Sequence, residues 1–197
     1  MEPAKPSELD RLGLVQVYTG NGKGKTTTAL GITLRALGHG FSVCVIQFMK
    51  GASYLGELES AKRFPNLRII QFGEDCPWSE QIKSGKLKCG NCRFCFTLHK
   101  EDQERAGKAM NCAKEISSSG KFDIVILDEV NGAIYRNIVD LKSVVELINA
   151  KSQYTELILT GRNAHPDIVS RADLVSEINE IKHPMSRGIE GRRGIDY

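Results

Sequence analysis

Six short runs of aliphatic and β-branched residues recur along the chain, separated by stretches that repeat with helical spacing or read as polar loop. The runs are LVQVY (Leu14–Tyr18), SVCVIQF (Ser42–Phe48), LRIIQF (Leu67–Phe72), DIVILD (Asp123–Asp128), ELILT (Glu156–Thr160) and LVSEINEI (Leu174–Ile181). Strands this apolar over their whole length must be buried on both faces, which is the condition of a parallel sheet. Helical spacing over Thr26–Leu37, about Leu98–Ser118 and Asp140–Asn149 supplies the crossovers. The pattern therefore predicts an α/β fold: a doubly wound, mainly parallel sheet with helices on both faces. At 197 residues the expectation is a single domain spanning 1–197. One stretch breaks the rhythm. Glu74–Phe96, rich in Cys, Gly and Lys, reads as an inserted loop.

The first strand runs straight into TGNGKGKTTTALG, a glycine-rich turn that opens a helix. A turn in this position aims backbone N–H groups and the helix N-terminus at an anion. The stretch Gly20, Asn21, Gly22, Lys23, Gly24, Lys25, Thr26 and Thr27 is accordingly expected to hold a nucleotide, with Lys25 on its phosphates and the Thr26 hydroxyl on Mg²⁺. The turn departs from the usual G-x-x-x-x-G-K-[ST] spacing, because Thr19 stands where the first glycine belongs and Gly20 follows one residue late. The plainer alternative is a glycine-rich β–α turn with an incidental Gly-Lys-Thr. Asp128 and Glu129 end an apolar strand, at the edge of an open α/β sheet where ligands bind. Carboxylates there are expected to share the Mg²⁺ with Thr26, whereas solvated acids at a strand end are the simpler reading. The expected fold is thus P-loop NTPase-like, with Lys25, Thr26 and Glu129 as the candidate catalytic residues.

The chain resembles the P-loop ATP:corrinoid adenosyltransferases from about Leu14 to Tyr197, interrupted by the Cys-rich stretch. The shared features are TGNGKGKTTTALG, GHG at Gly38–Gly40, VIQFMKG at Val45–Gly51, ILDEV, LTGRNAHPDIVSRADLVSEI and the closing IKHPMSRGIEGRRGIDY. The displaced glycine is a trait of that family. The resemblance implies that a Co(I) corrinoid attacks C5′ of ATP and the whole triphosphate leaves, in adenosylcobalamin biosynthesis or salvage. Such a reaction needs no general base, because Co(I) carries no proton; it needs positioning and stabilised charge on the leaving group. The resemblance further implies a corrinoid partner, a cobalt-reducing flavoprotein or other reductant, and a homodimer. It places Arg162 of the Thr-Gly-Arg at the site and sets Trp78 against the corrin ring, where it would help exclude the lower ligand from cobalt. His183 and Tyr197 match the family's tail. Two residues before Trp78, where an aromatic is expected, stands Cys76. Lys50, at the end of QFMK, is expected to reach phosphate or corrinoid, with a solvated lysine as the alternative.

Cys89, Cys92 and Cys95 follow C-x-x-C-x-x-C spacing, a pattern not shared with better-known family members. Three thiolates so close can meet on one centre, with Cys76, His99 or Cys112 as a fourth ligand, and both Zn²⁺ and a [4Fe–4S] cluster fit the spacing. Free thiols on a surface loop are the alternative. Cys44, inside a strand, reads as a small buried hydrophobe. The net charge of +3, with basic residues scattered, gives no argument for nucleic acid. The N-terminal residues carry no apolar signal core, and no apolar run along the sequence approaches the ~20 residues that span a bilayer, so a cytoplasmic protein without membrane contact is expected. Two rival functions stay open at this stage. One is a phosphate-releasing ATPase or kinase in which Glu129 activates water or a hydroxyl. The other is a nucleotide- or metal-responsive binding protein.

Overall fold

In the computed structural model, which describes residues 13–90, 92, 94, 97 and 99–197, the six strands join one sheet. They are β1 (Val15–Thr19), β2 (Val43–Phe48), β3 (Leu67–Phe72), β4 (Ile124–Asp128), β5 (Glu156–Thr160) and β6 (Leu174–Glu177). Their spatial order is β3-β2-β4-β5-β1-β6, and every neighbouring pair is parallel. β2, β4 and β5 are buried along their whole lengths, as continuous apolar strands in the middle of a covered sheet must be.

The crossovers are α1 (Lys25–Gly38), α2 (Gly56–Ala61), α3 (Ser79–Lys83), α4 (Asp102–Ser119), α5 (Val130–Tyr135), α6 (Leu141–Ala150) and α7 (Pro166–Val169), with a 3₁₀ turn at Pro184–Arg187. Alternation along the strands sends residues to two separate cores. Cys44, Ile46, Val125, Leu127 and Leu159 meet α4, α5 and α6 on one face. Val43, Val45, Ile126 and Ile158 meet Ala29, Ala36 and Leu37 of α1 on the other. Helices on both faces, as expected, leave only the C-terminal strand ends open to a ligand.

Most boundaries fall within a residue of expectation, and three departures are larger. β6 stops at Glu177 rather than Ile181, because the chain there turns to lie against the glycine-rich loop, with the Ile178 N–H donating to the Thr19 carbonyl at 2.9 Å. α4 starts at Asp102, whose carboxylate accepts from the His99 N–H at 2.7 Å and so fixes the turn into the helix; Leu98 lies outside the described residues. The Cys-rich stretch is not all loop, since α3 lies inside it.

Candidate active site

The glycine displacement has a steric cause. Gly20 sits at φ +99°, and a side chain there would put its Cβ 2.4 Å from the Ile178 carbonyl oxygen. A Cβ on Gly22 would come within 2.8 Å of Ile178 O and of the Asn179 carbonyl carbon. The loop is pressed onto the backbone that continues β6, and the Gly22 N–H donates to Ile178 O at 2.7 Å. Thr19 remains strand, and its hydroxyl accepts from the Ala164 N–H at 3.1 Å, tying β1 to the loop after β5. Position 19 needs that hydroxyl, and position 20 needs to be glycine.

Past the loop, Gly24 precedes α1 as its N-cap, and no side chain caps the first turn, which leaves its N–H groups for a ligand. Asn21, Lys23 and Thr27 are exposed around this mouth. Lys25 is buried, and its ammonium donates to Gly22 O at 2.6 Å across the loop. Burial lowers its pKa; Glu129 opposes the shift, Arg162 adds to it and Asp128 opposes it.

Thr26, Lys50 and Asp128 converge beside it. Asp128 is fully buried; its Oδ1 accepts from the hydroxyls of Thr26 at 2.8 Å and Thr160 at 2.7 Å. Its Oδ2 accepts from Lys50 Nζ at 2.7 Å and from the Gln47 amide at 3.2 Å. Lys50 Nζ also donates to Thr26 Oγ1 at 3.1 Å, so an ammonium bridges the two oxygens expected to hold Mg²⁺. Burial alone would raise the Asp128 pKa, but the Lys50 charge and these hydrogen bonds outweigh it and hold the carboxyl below its usual range. For Lys50, likewise, burial pulls the pKa down and the Asp128 charge pushes it further up. Lys50 is aimed by its backbone: Met49 is left-handed at φ 56°, and Gly51 and Gly73 pass so closely that a Cβ on either would lie 2.4–2.5 Å from the other strand's loop.

Glu129 is held in the left-handed region at φ 66°, with its N–H donating to Thr160 Oγ1 at 2.9 Å. It faces the same cations, since its charge acts on both Lys25 and Lys50. Arg162 follows Gly161 at the end of β5 and is exposed. The oxygen donors of Thr26 and Asp128 already accommodate a cation, and with Glu129 adjacent the set suits a hard ion such as Mg²⁺. Sequence reasoning missed Gln47, Gln71 and Thr160. Gln71 donates to Gln47 Oε1 at 2.9 Å, so Gln71, Gln47, Asp128 and Thr160 form a polar row across four strands. The available signal was one polar residue near the C-terminal end of each apolar run.

The expected meeting of Cys89, Cys92 and Cys95 falls partly outside the described residues. Among the described residues no three His, Cys, Asp or Glu side chains are grouped to hold a metal ion, and Cys95 lies outside those residues. Cys76 is buried in a small apolar cluster with Ala52 and Ile82, against which Tyr54, Cys89 and Tyr197 pack. The Cys89 sulfur accepts from the Tyr54 hydroxyl at 3.3 Å, and Cys92 is exposed. The other candidate fourth ligands are placed differently from one another. Cys112 packs on the main core, where burial raises its pKa, and His99 stacks on Phe94 with ring centroids 4.3 Å apart. Trp78, about half exposed, N-terminally flanks α3, and Asp75 ties the start of this stretch to the loop after β2 by accepting from the Ser53 and Cys76 N–H groups and the Ser79 hydroxyl. No helix among the described residues is long and apolar enough to cross a membrane.

Residues 11–197 match the family described as ATP:corrinoid adenosyltransferase BtuR/CobO/CobP. A corrinoid adenosyltransferase of Sinorhizobium sp is 34% identical, covering 100% of this chain and 86% of that protein. Those of Pseudomonas aeruginosa and Escherichia coli are each 32% identical, covering 95% of this chain and 85% and 87% of theirs.

Proposed function

Because the chain belongs to the ATP:corrinoid adenosyltransferase family, we propose that it transfers the 5′-deoxyadenosyl group of ATP to the Co(I) centre of a corrinoid and releases triphosphate. The observation that carries this choice of reaction is the match over residues 11–197, which takes in the loop, the strand-end carboxylates and the tail together. Co(I) supplies the electron pair for the new Co–C5′ bond, the C5′–O bond breaks, and the triphosphate departs with that bond's electrons. The Co(I) state requires an electron donor, a flavoprotein or another reductant.

In this reading Gly20–Thr26 grips a leaving group rather than a group to be transferred. Backbone N–H groups of the loop and the uncapped first turn of α1 meet the phosphate oxygens, and Lys25 adds its charge from a buried position where it is worth more than in water. Thr26 and Asp128, with Glu129 beside them, would hold Mg²⁺, which when bound neutralises charge on the triphosphate. Lys50, which now lies between Thr26 and Asp128, would be free to turn toward the phosphates. Arg162, exposed at the same mouth, adds positive charge there. Trp78 offers a half-exposed indole to the corrin face.

The test is an anaerobic incubation of protein, MgATP and chemically reduced corrinoid. A Co–C bond should form with one intact triphosphate per adenosylated corrinoid. Phosphate release at a comparable rate without corrinoid would favour an ATPase in which Glu129 activates water.

A further inference from the structure

The last ten residues lie across the surface outside the two main cores: Ile189 and Ile195 are 40% and 67% exposed. Polar and ring contacts hold them instead, and these reach two different parts of the molecule. Asp196 pairs with Lys23 in the middle of the phosphate loop, and also accepts from the Arg192 N–H at 2.8 Å and Arg192 Nε at 3.0 Å. Lys23 and then the Arg192 backbone hold its carboxyl well below the ordinary carboxylate range, so it is ionised at neutral pH. Its neighbour Tyr197 points the other way. Its ring meets Tyr54 edge-on at 5.4 Å and packs on the cluster of Cys76, Ile82 and Cys89. Gly191 lets the tail lie this close, since a Cβ there would be 3.1 Å from Cys89 O.

Ile82 belongs to α3, the short helix that Trp78 begins. Two adjacent residues thus touch the nucleotide loop and the packing that carries the only tryptophan. Lys23 is half-exposed and stands where the incoming polyphosphate must compete with Asp196 for its ammonium.

We propose that Asp196 and Tyr197 are positioning residues for the transfer: Asp196 holds Lys23, Tyr197 holds the Trp78 segment, and nucleotide binding is thereby relayed to the corrinoid side. The inference rests on the adenosyltransferase reading of the site. When ATP draws Lys23 onto its phosphates, Asp196 is released, the tail shifts, and the cluster under Trp78 repacks before any corrinoid arrives. Linkage makes the effect mutual, so a ligand that orders the Trp78 segment changes ATP affinity by the same factor.

Trp78 reports the relay directly. The full chain is titrated with MgATP in the absence of corrinoid, following tryptophan emission and its quenching by acrylamide, while calorimetry measures ATP binding separately. In the unaltered protein the emission should shift and saturate with the calorimetric Kd. Asp196→Asn and Tyr197→Ala should bind ATP and lose the shift. Tyr197→Phe, which keeps the ring against Tyr54, should retain it. Lys23→Gln should lose the shift as Asp196→Asn does, and combining the two should add nothing further. ATP binding with no Trp78 response in the unaltered protein, or a response that survives Asp196→Asn or Tyr197→Ala, overturns the relay alone. Absence of calorimetric ATP binding to the unaltered protein overturns the nucleotide site and the relay together.

Discussion

Replacing Asp128 by alanine should be among the most damaging single changes near the site, and its cost can be worked from the contacts. The carboxylate is fully buried and serves as acceptor for Thr26, Thr160, Gln47 and Lys50. Without it the Lys50 ammonium keeps only Thr26 at 3.1 Å. Removing one partner of a buried ion pair costs about 3–5 kcal/mol, because the other charge is left uncompensated. The Lys50 side chain is 28% exposed, so water takes up part of that charge and the lower end, about 3 kcal/mol, applies. In a chain of this size each kcal/mol moves the melting temperature by about 2–4 °C, giving a fall of about 6–12 °C. Lys50→Met should cost less, since Thr26, Thr160 and Gln47 still donate to the carboxylate. In the double variant no uncompensated ammonium remains, so its loss should be smaller than the two single losses added. Thermal melts and urea titrations of the four proteins measure this. Strict additivity within about 0.5 kcal/mol, or an Asp128→Ala shift below about 2 °C, would refute the account of the pair.

Four further outcomes are expected. Lys25→Ala should lower kcat for adenosylation by about 10²–10³, the usual loss when one preorganised charge is removed from a transition state, as read by the rate of Co–C bond formation. Gly22→Ala should push the loop off Ile178 and Asn179, whose backbone cannot give way as a side chain would; overpacking of this kind costs about 1–3 kcal/mol, and calorimetry should show weakened ATP binding. Trp78→Ala should impair turnover more with a Co(II) corrinoid reduced in situ than with preformed Co(I); equal losses would indicate simple binding or packing. Among thiols, exposed Cys92 should react with a maleimide in the native protein, while Cys44, whose pKa burial pushes up to about 12, should react only on unfolding, as peptide mapping would show.

The sheet was legible because its central strands carry no competing signal: VCVIQF, IVILD and ELILT are apolar apart from residues at or next to their ends, and only burial on both faces accommodates that. Gly-Lys-Thr marked the glycine-rich turn between β1 and α1 for the same local reason. The reason for the late glycine was not legible, because it lies in Ile178 and Asn179, more than 150 residues away in sequence and beside the loop only after β6 pairs with β1. α2, α3, α5 and α7 run six residues or fewer, too short for a hydrophobic period to declare itself. Thr160 and Gln47 became site residues only through the register that lines them up with Asp128. The places of Cys76 and Cys112 were not legible either, because spacing along the chain says nothing of which core a thiol joins: Cys76 lies in a small apolar cluster and Cys112 packs on the main core.

The polar row across the strand ends bears on how the chain finds its fold. Parallel sheets assemble from distant segments, so their strands have many chances to pair wrongly on the way. Gln47 lies opposite Gln71 on one side and Asp128 on the other, all on the face covered by α1. Sliding β2 by a single residue would turn Gln47 to the opposite face, among Ile70, Phe72 and Leu127 of the neighbouring strands, with its amide unpaired. An apolar strand alone would accept that slip at little cost, since both faces are equally greasy. The polar residues make the mispaired sheets expensive, so the side chains that ready the strand ends for a cation also count the strands into step.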